Sequence, residues 1–125
     1  MSRHEPLYLK DMIVACEKLV ACVEGFDRAA LEADWIRYDA VLRNLEILGE
    51  AAKGISETTR QRSPNIPWRK IAAMRDIVIH HYFGLDRDAI WDAVRNRVPG
   101  LLQDLKRFRD SDASAGGPAP ERQDK

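Results

Sequence analysis

Apolar residues recur along this chain at steps of three and four, and nowhere does a two-residue alternation persist. That spacing commits the chain to helices. A single amphipathic helix cannot bury its own apolar stripe, so several must pack together. Leu9, Met12, Ile13, Cys16, Leu19, Val20 and Val23 form a first stripe, closed by Gly25 and Asp27. Asp27 is placed to cap a short turn over Arg28–Ala33. A second, longer row starts near Asp34 and runs through Trp35, Tyr38, Leu42, Leu45, Leu48, Gly49, Ala52 and Ile55. Gly49 costs about 1 kcal/mol there relative to Ala, so its presence predicts a close backbone approach. Arg43, Glu46, Glu50 and Lys53 lie on the other face and read as a solvated face of ion pairs.

Ser63-Pro64-Asn65-Ile66-Pro67 breaks the pattern as a loop, with Pro67 suited to the first position of a third helix. That helix is expected over 68–83, with Gly84 as its stop and Asp86 as the next N-cap. A fourth row follows through Ile90, Trp91, Val94, Val98, Leu101, Leu102, Leu105 and Phe108, where Pro99 should bend or break the helix. The fold class is therefore all-α, an antiparallel bundle of four to five helices. The bundle is expected over 1–110, and the Ser-, Ala-, Gly- and Pro-rich 111–125 is expected to be a disordered tail.

Charge and composition narrow the function. The 20 basic side chains balance 20 acidic ones, which argues against a protein that coats nucleic acid by bulk charge. A small local phosphate site remains open. No apolar run reaches the roughly 18–20 residues of a membrane span, so no membrane is expected. The first residues carry no apolar signal core, and export is not expected. Cys16 and Cys22 fall on different sides of one helix and cannot bond, which suits a reducing cytoplasm.

Chemistry concentrates in Arg75-Asp76-Ile77-Val78-Ile79-His80-His81-Tyr82. A guanidinium can hold a phosphate bidentately, and an imidazole can move a proton near neutral pH. Asp76 stands four residues before His80, where its carboxylate could fix the ring's tautomer. Arg75 and His80 are separated by about 140° on an ideal helix, whereas Arg75 and Tyr82 share a face. Two arrangements bring Arg and His together: a distorted helix near His80, or the same motif from a second subunit. The dimer is preferred, because a lone bundle offers no pocket legible in the sequence. His81 reads as a packing or surface histidine. No metal-ligand spacing, Gly-rich phosphate loop or Cys-x-x-Cys pair occurs, so no metal or cofactor is expected. Glu46 and Glu50, one turn apart, read as solvated rather than as a catalytic dyad.

Arg75, Asp76, His80 and Tyr82 together resemble the signature of the HepT-like toxins of the HEPN superfamily: Arg, a polar residue, three positions, His, any residue, Tyr. Arg43-Asn44-Leu45-Glu46-Ile47-Leu48-Gly49-Glu50-Ala51-Ala52, Ile66-Pro67-Trp68-Arg69-Lys70-Ile71 and Ile90-Trp91-Asp92-Ala93-Val94 with Pro99 match in the same order. The resemblance covers roughly residues 7 to 108. It implies a helical homodimer with its cleft at the interface, acting as a metal-independent ribonuclease toxin of a type II toxin–antitoxin system. Arg75 would bind phosphate and stabilise the transition state, His80 would transfer protons, and Asp76 would be the supporting polar residue. The ribose 2′-hydroxyl would attack the adjacent phosphate and leave a cyclic phosphate. The resemblance also implies a nucleotidyltransferase antitoxin of the MNT type, which would use ATP to place AMP on Tyr82. His81 offers a second register, with five residues between it and Arg75. The alternative expectation is a non-catalytic helical partner that helps such a nucleotidyltransferase hold its substrate.

Overall fold

In the computed structural model, residues 4–84 and 86–115 are described, the side chains of 113–115 excepted. Their regular structure is entirely helical, with no strand among the described residues. Helix α1 (Glu5–Val23) buries Leu9, Met12, Ile13, Cys16, Leu19 and Val23, nearly the whole expected stripe. Burial of the Cys16 thiol pushes its pKa up to about 12, so it behaves as a small apolar group. The chain leaves α1 through Gly25 at φ 77°, a left-handed conformation that glycine adopts without a steric penalty. Asp27 accepts the Ala30 N–H at 2.8 Å and starts α2 (Arg28–Ala33). Asp34 accepts the Arg37 N–H at 3.0 Å and starts α3 (Trp35–Lys53). Such caps are worth about 1 kcal/mol each.

Helix α3 is the central member. Val41, Leu45, Leu48 and Ala52 have no exposed surface. Complete burial of a leucine-sized side chain stabilises the fold by about 1.5–3 kcal/mol. Trp35, expected in this row, is instead 71% exposed at the first residue of α3. At the other end Arg60, in the short α4 (Glu57–Gln61), donates through Nε to Ile55 O and through Nη2 to Ala52 O, each at 3.1 Å. The Arg60 guanidinium thereby ties α4 to carbonyls at and just beyond the end of α3. Helix α1 runs antiparallel to α3: Tyr8 lies against Gly54, and Arg37 Nη1 donates to Cys22 O at 3.1 Å.

The expected helix over 68–83 is two helices, α5 (Trp68–Ala72) and α6 (Met74–Tyr82), with a turn at Ala73. Gly49 explains where the turn sits. A Cβ built on Gly49 would lie 2.8 Å from Arg75 N and 3.0 Å from Ala72 O, closer than folded chains tolerate. Helix α3 thus presses against the α5–α6 junction, and the turn lets both halves pack on it. Helix α6 runs antiparallel to α3, since Arg75 meets Gly49 near one end and the His81 ring lies 5.3 Å from Tyr38 at the other.

Pro99 does not break its helix. Helix α7 (Arg87–Asp92) passes into a π-helical turn (Ala93–Arg97) and then α8 (Val98–Ala115), without interruption. A proline ring crowds the carbonyl four residues back, and a widened turn just before it relieves that contact. Helix α8 closes the bundle against α1, with Lys106 Nζ 3.3 Å from Glu17 Oε2, and against α5, where the Trp68 and Phe108 rings meet edge-on at 5.8 Å. It carries on through Ala115, and Asp112 pairs with Arg62. The rest of the segment expected to be a tail, 116–125, lies outside the described residues.

Candidate functional site

Helix α6 carries the whole Arg-to-Tyr motif, and each member meets a different surrounding. Arg75 stands in the first turn, beside the junction that Gly49 presses. Its Nε lies 2.8 Å from Glu50 Oε1, and the same carboxylate oxygen is 3.8 Å from Lys53 Nζ. Glu50 had read as part of a solvated face; it is solvated, but it also meets the motif's guanidinium. The signal was present: Glu50 follows the glycine that marks the close approach.

His80 lies in the last turn and is exposed. Its Nδ1 is 2.9 Å from Asp86 Oδ2. A carboxylate is acceptor-only, so Nδ1–H donates and Nε2 is left to exchange a proton. Asp86, not Asp76, is therefore the carboxylate that meets His80. Asp76 is exposed and makes no ion pair with His80 among the described residues. The reason is local geometry. Gly84 leaves α6 at φ 79°, and Asp86 beyond it lies against His80. Asp86 sits at the N-cap position of α7, as expected, but makes no side-chain capping bond there. Its carboxylate is used on the imidazole instead.

His81 is half-buried against Tyr38, and burial, then nearby Arg87, lowers its pKa below the usual 6.5. Its Nδ1 and the Tyr38 hydroxyl are both buried without a hydrogen-bond partner among the described residues. This is a packing histidine, as its position in the sequence suggests. Tyr82 is 74% exposed, with its ring edge toward His81 at 5.9 Å. Phe83 and Ile79 are exposed beside it, and the antiparallel course of α3 brings the exposed Trp35 and Ile36 to the same end of the bundle.

Arg75 and His80 are not brought together within one chain. Helix α6 is unbroken from Met74 to Tyr82, so the two side chains leave it about 140° apart. One is drawn to α3 by Glu50, the other to the segment before α7 by Asp86. The distortion near His80 that would have united them does not occur.

The family model described as "Ribonuclease HepT-like" matches residues 12–108. A relative from Thermococcus cleftensis, named "Probable ribonuclease HepT", is 37% identical over 113 residues, 87% of this chain and 99% of its own. One from Caldanaerobacter subterraneus subsp. tengcongensis, named "Putative RNase TTE0752", is 35% identical over 99 residues, 79% of this chain and 88% of its own. No solved structure matches the chain. With the match spanning most of the bundle and the motif helix inside it, the chain belongs to the HepT-like ribonuclease family.

Proposed function

We propose that this protein is the toxin of a type II toxin–antitoxin system, a metal-independent endoribonuclease acting in the cytoplasm at a site shared between two copies of the chain. One observation carries the reading: Arg75 and His80 leave opposite sides of an unbroken helix, next to a bundle end rich in exposed apolar side chains. Ile79, Phe83, Trp35 and Ile36 are of the kind an isologous interface covers. A two-fold axis near that end faces one α6 with another, so the Arg of one copy can meet the His of the other.

In that cleft Arg75 binds the scissile phosphate and stabilises the charge that grows on it. The 2′-oxygen attacks phosphorus as its proton is taken up, and the bond to the 5′-oxygen breaks as that oxygen is protonated. The products are a cyclic phosphate and a free 5′-hydroxyl. Two copies of His80 can divide the two proton transfers, each ring oriented by Asp86 through Nδ1. Such proton transfer contributes about 10²–10⁴-fold. No residue in this scheme needs a metal or a cofactor.

Control falls to Tyr82, whose exposure leaves its hydroxyl open to a modifying enzyme. A nucleotidyltransferase antitoxin of the MNT type would join the Tyr82 oxygen to the α-phosphorus of ATP, releasing pyrophosphate. Tyr82 lies on the Arg75 face of α6, so the added anion competes with RNA for that guanidinium. The second reading, a non-catalytic partner of such a nucleotidyltransferase, draws on the ion pair that already engages Arg75.

Purified protein incubated with total RNA in EDTA separates the two. Wild type should degrade RNA, while Arg75→Ala and His80→Ala should each lose at least about 10²-fold of the rate. Identical RNA in all three reactions would end the nuclease reading. After coexpression with the neighbouring nucleotidyltransferase, a mass spectrum should show AMP on Tyr82 and none on Tyr82→Phe.

A further inference from the structure

We propose that Glu50 is a positioning residue for Arg75, presetting the guanidinium for the phosphate before RNA arrives. The inference rests on the ribonuclease reading with Arg75 at the scissile phosphate, and it adds a residue from a different helix to that site.

The pair is too exposed to serve stability. Arg75 and Glu50 keep 38% and 50% of their side-chain surface in solvent, and ion pairs this exposed contribute little to stability. Geometry is where the contact has consequence. An arginine side chain samples many rotamers, a freedom that an unheld Arg75 would lose each time it clasped a phosphate. Glu50 is anchored to remove that freedom beforehand. It follows Gly49, and Gly49 is the residue on which the Arg75 backbone rests, so carboxylate and guanidinium are supported by the same backbone contact. The packing of α3 on α6 holds the two backbones close, and from there the half-exposed side chains meet at 2.8 Å.

The orientation of the contact also fits. Glu50 meets Arg75 through Nε, the inner edge of the guanidinium. A bidentate phosphate can then use the terminal edge formed by the two Nη groups. A carboxylate beside a phosphate would ordinarily repel it. Here the same Oε1 also lies 3.8 Å from Lys53 Nζ, so one negative charge stands between two positive ones. The group of three keeps a net positive charge for the incoming anion.

The test is steady-state cleavage of a short RNA oligonucleotide by the full-length chain and by its Glu50→Ala, Glu50→Gln and Arg75→Ala variants, with thermal melts of each. A positioning role predicts that Glu50→Ala lowers kcat about tenfold or more, since small misplacements of a reacting group are costly. KM should stay within about threefold, because the phosphate can still find the arginine. Glu50→Gln should recover most of kcat, as its amide oxygen can take the place of Oε1. Both melts should match wild type, in keeping with the small energy of the pair. An unchanged or raised kcat in Glu50→Ala overturns the proposal, the raised rate marking Glu50 as a brake. So does an equal loss in Gln and Ala, or a fall that tracks lost stability. If Arg75→Ala cleaves like wild type, the nuclease reading itself has failed, and the Glu50 role falls with it.

Discussion

The two ends of α6 are built on opposite plans. At the Arg75 end a glycine on α3 admits the α6 backbone, and the motif side chain is met at once by Glu50. At the Tyr82 end one side of the helix lacks neighbours among the described residues: Ile79, Tyr82 and Phe83 stand in solvent, and His80 meets the Asp86 carboxylate from beyond Gly84. One end is finished within a single chain, while the other presents apolar surface that a lone bundle leaves uncovered. A motif spread over two turns can thus be half fixed by the fold and half left for a second molecule to complete.

The largest effect should come from spoiling the open end. Phe83→Asp, alone or with Trp35→Asp, places charge where a second copy would pack. Light scattering should then report half the mass of wild type, and RNA cleavage should fall about 10²-fold or more as the composite cleft is lost. Both residues are more than two-thirds exposed, so the monomer's own stability should hardly change. A monomeric variant that cleaves at the wild-type rate per chain would show that the open end is not where the site is completed.

Asp86→Asn tests the same end more finely. The substitution keeps the shape, but its amide can donate to Nδ1 and so favour the wrong tautomer of His80. With the ring exposed, other orientations remain open to it, and kcat should fall by about 10–10²-fold. Asp76→Asn should change kcat by less than about threefold, since no contact to His80 runs through it. The reverse ranking would restore the carboxylate expected from helical spacing.

That contrast also marks what the sequence could convey. The helical rows, the cap at Asp27, the start of the second long helix near Asp34, the close approach at Gly49 and the reading of His81 as a packing or surface residue were all legible, because each depends on residues near in sequence or on a periodic face. The contacts of both carboxylates at the site went unforeseen for a common reason. Glu50 meets Arg75 from another helix, and Asp86 meets His80 from beyond Gly84, so neither contact follows from spacing along α6. Pro99 and the turn at Ala73 show the same limit. At Pro99 local rules name a disturbed helix and packing widens it into a π turn, whereas at Ala73 no local rule names the break.

Glycine substitutions put the two plans side by side at smaller magnitude. Gly49→Ala should destabilise the fold by about 1–2 kcal/mol, since overpacking against backbone outweighs the roughly 1 kcal/mol that alanine returns in helix propensity. It should also lower cleavage by prising α6 from Glu50. At the other end Gly84 has open space around it, and only its φ of 79° resists a side chain. Gly84→Ala should cost about 1 kcal/mol and shift His80 relative to Asp86. Denaturant melts and cleavage rates on both variants would expose any error: if Gly49→Ala is stabilising, the closed end is looser than its distances indicate.

The smallest effect belongs to His81, which lies at the open end yet is buried like a residue of the closed one. Burial and the Arg87 charge hold its folded pKa below 6.5, while the carboxylates of Asp39 and Glu32 oppose that shift more weakly. The unfolded chain therefore binds a proton at His81 at a higher pH than the folded chain does. Stability attributable to the neutral ring is present above the unfolded value of 6.5 and is lost as pH falls from there toward the folded pKa. His81→Phe removes that proton linkage while keeping an aromatic ring against Tyr38. Urea midpoints measured near pH 7.5 and near pH 5 should fall further on acidification for wild type than for His81→Phe. Equal falls in the two proteins would mean that the His81 ring is as well solvated as His80, and that the boundary between the packed and open parts of α6 lies before residue 81, not after it.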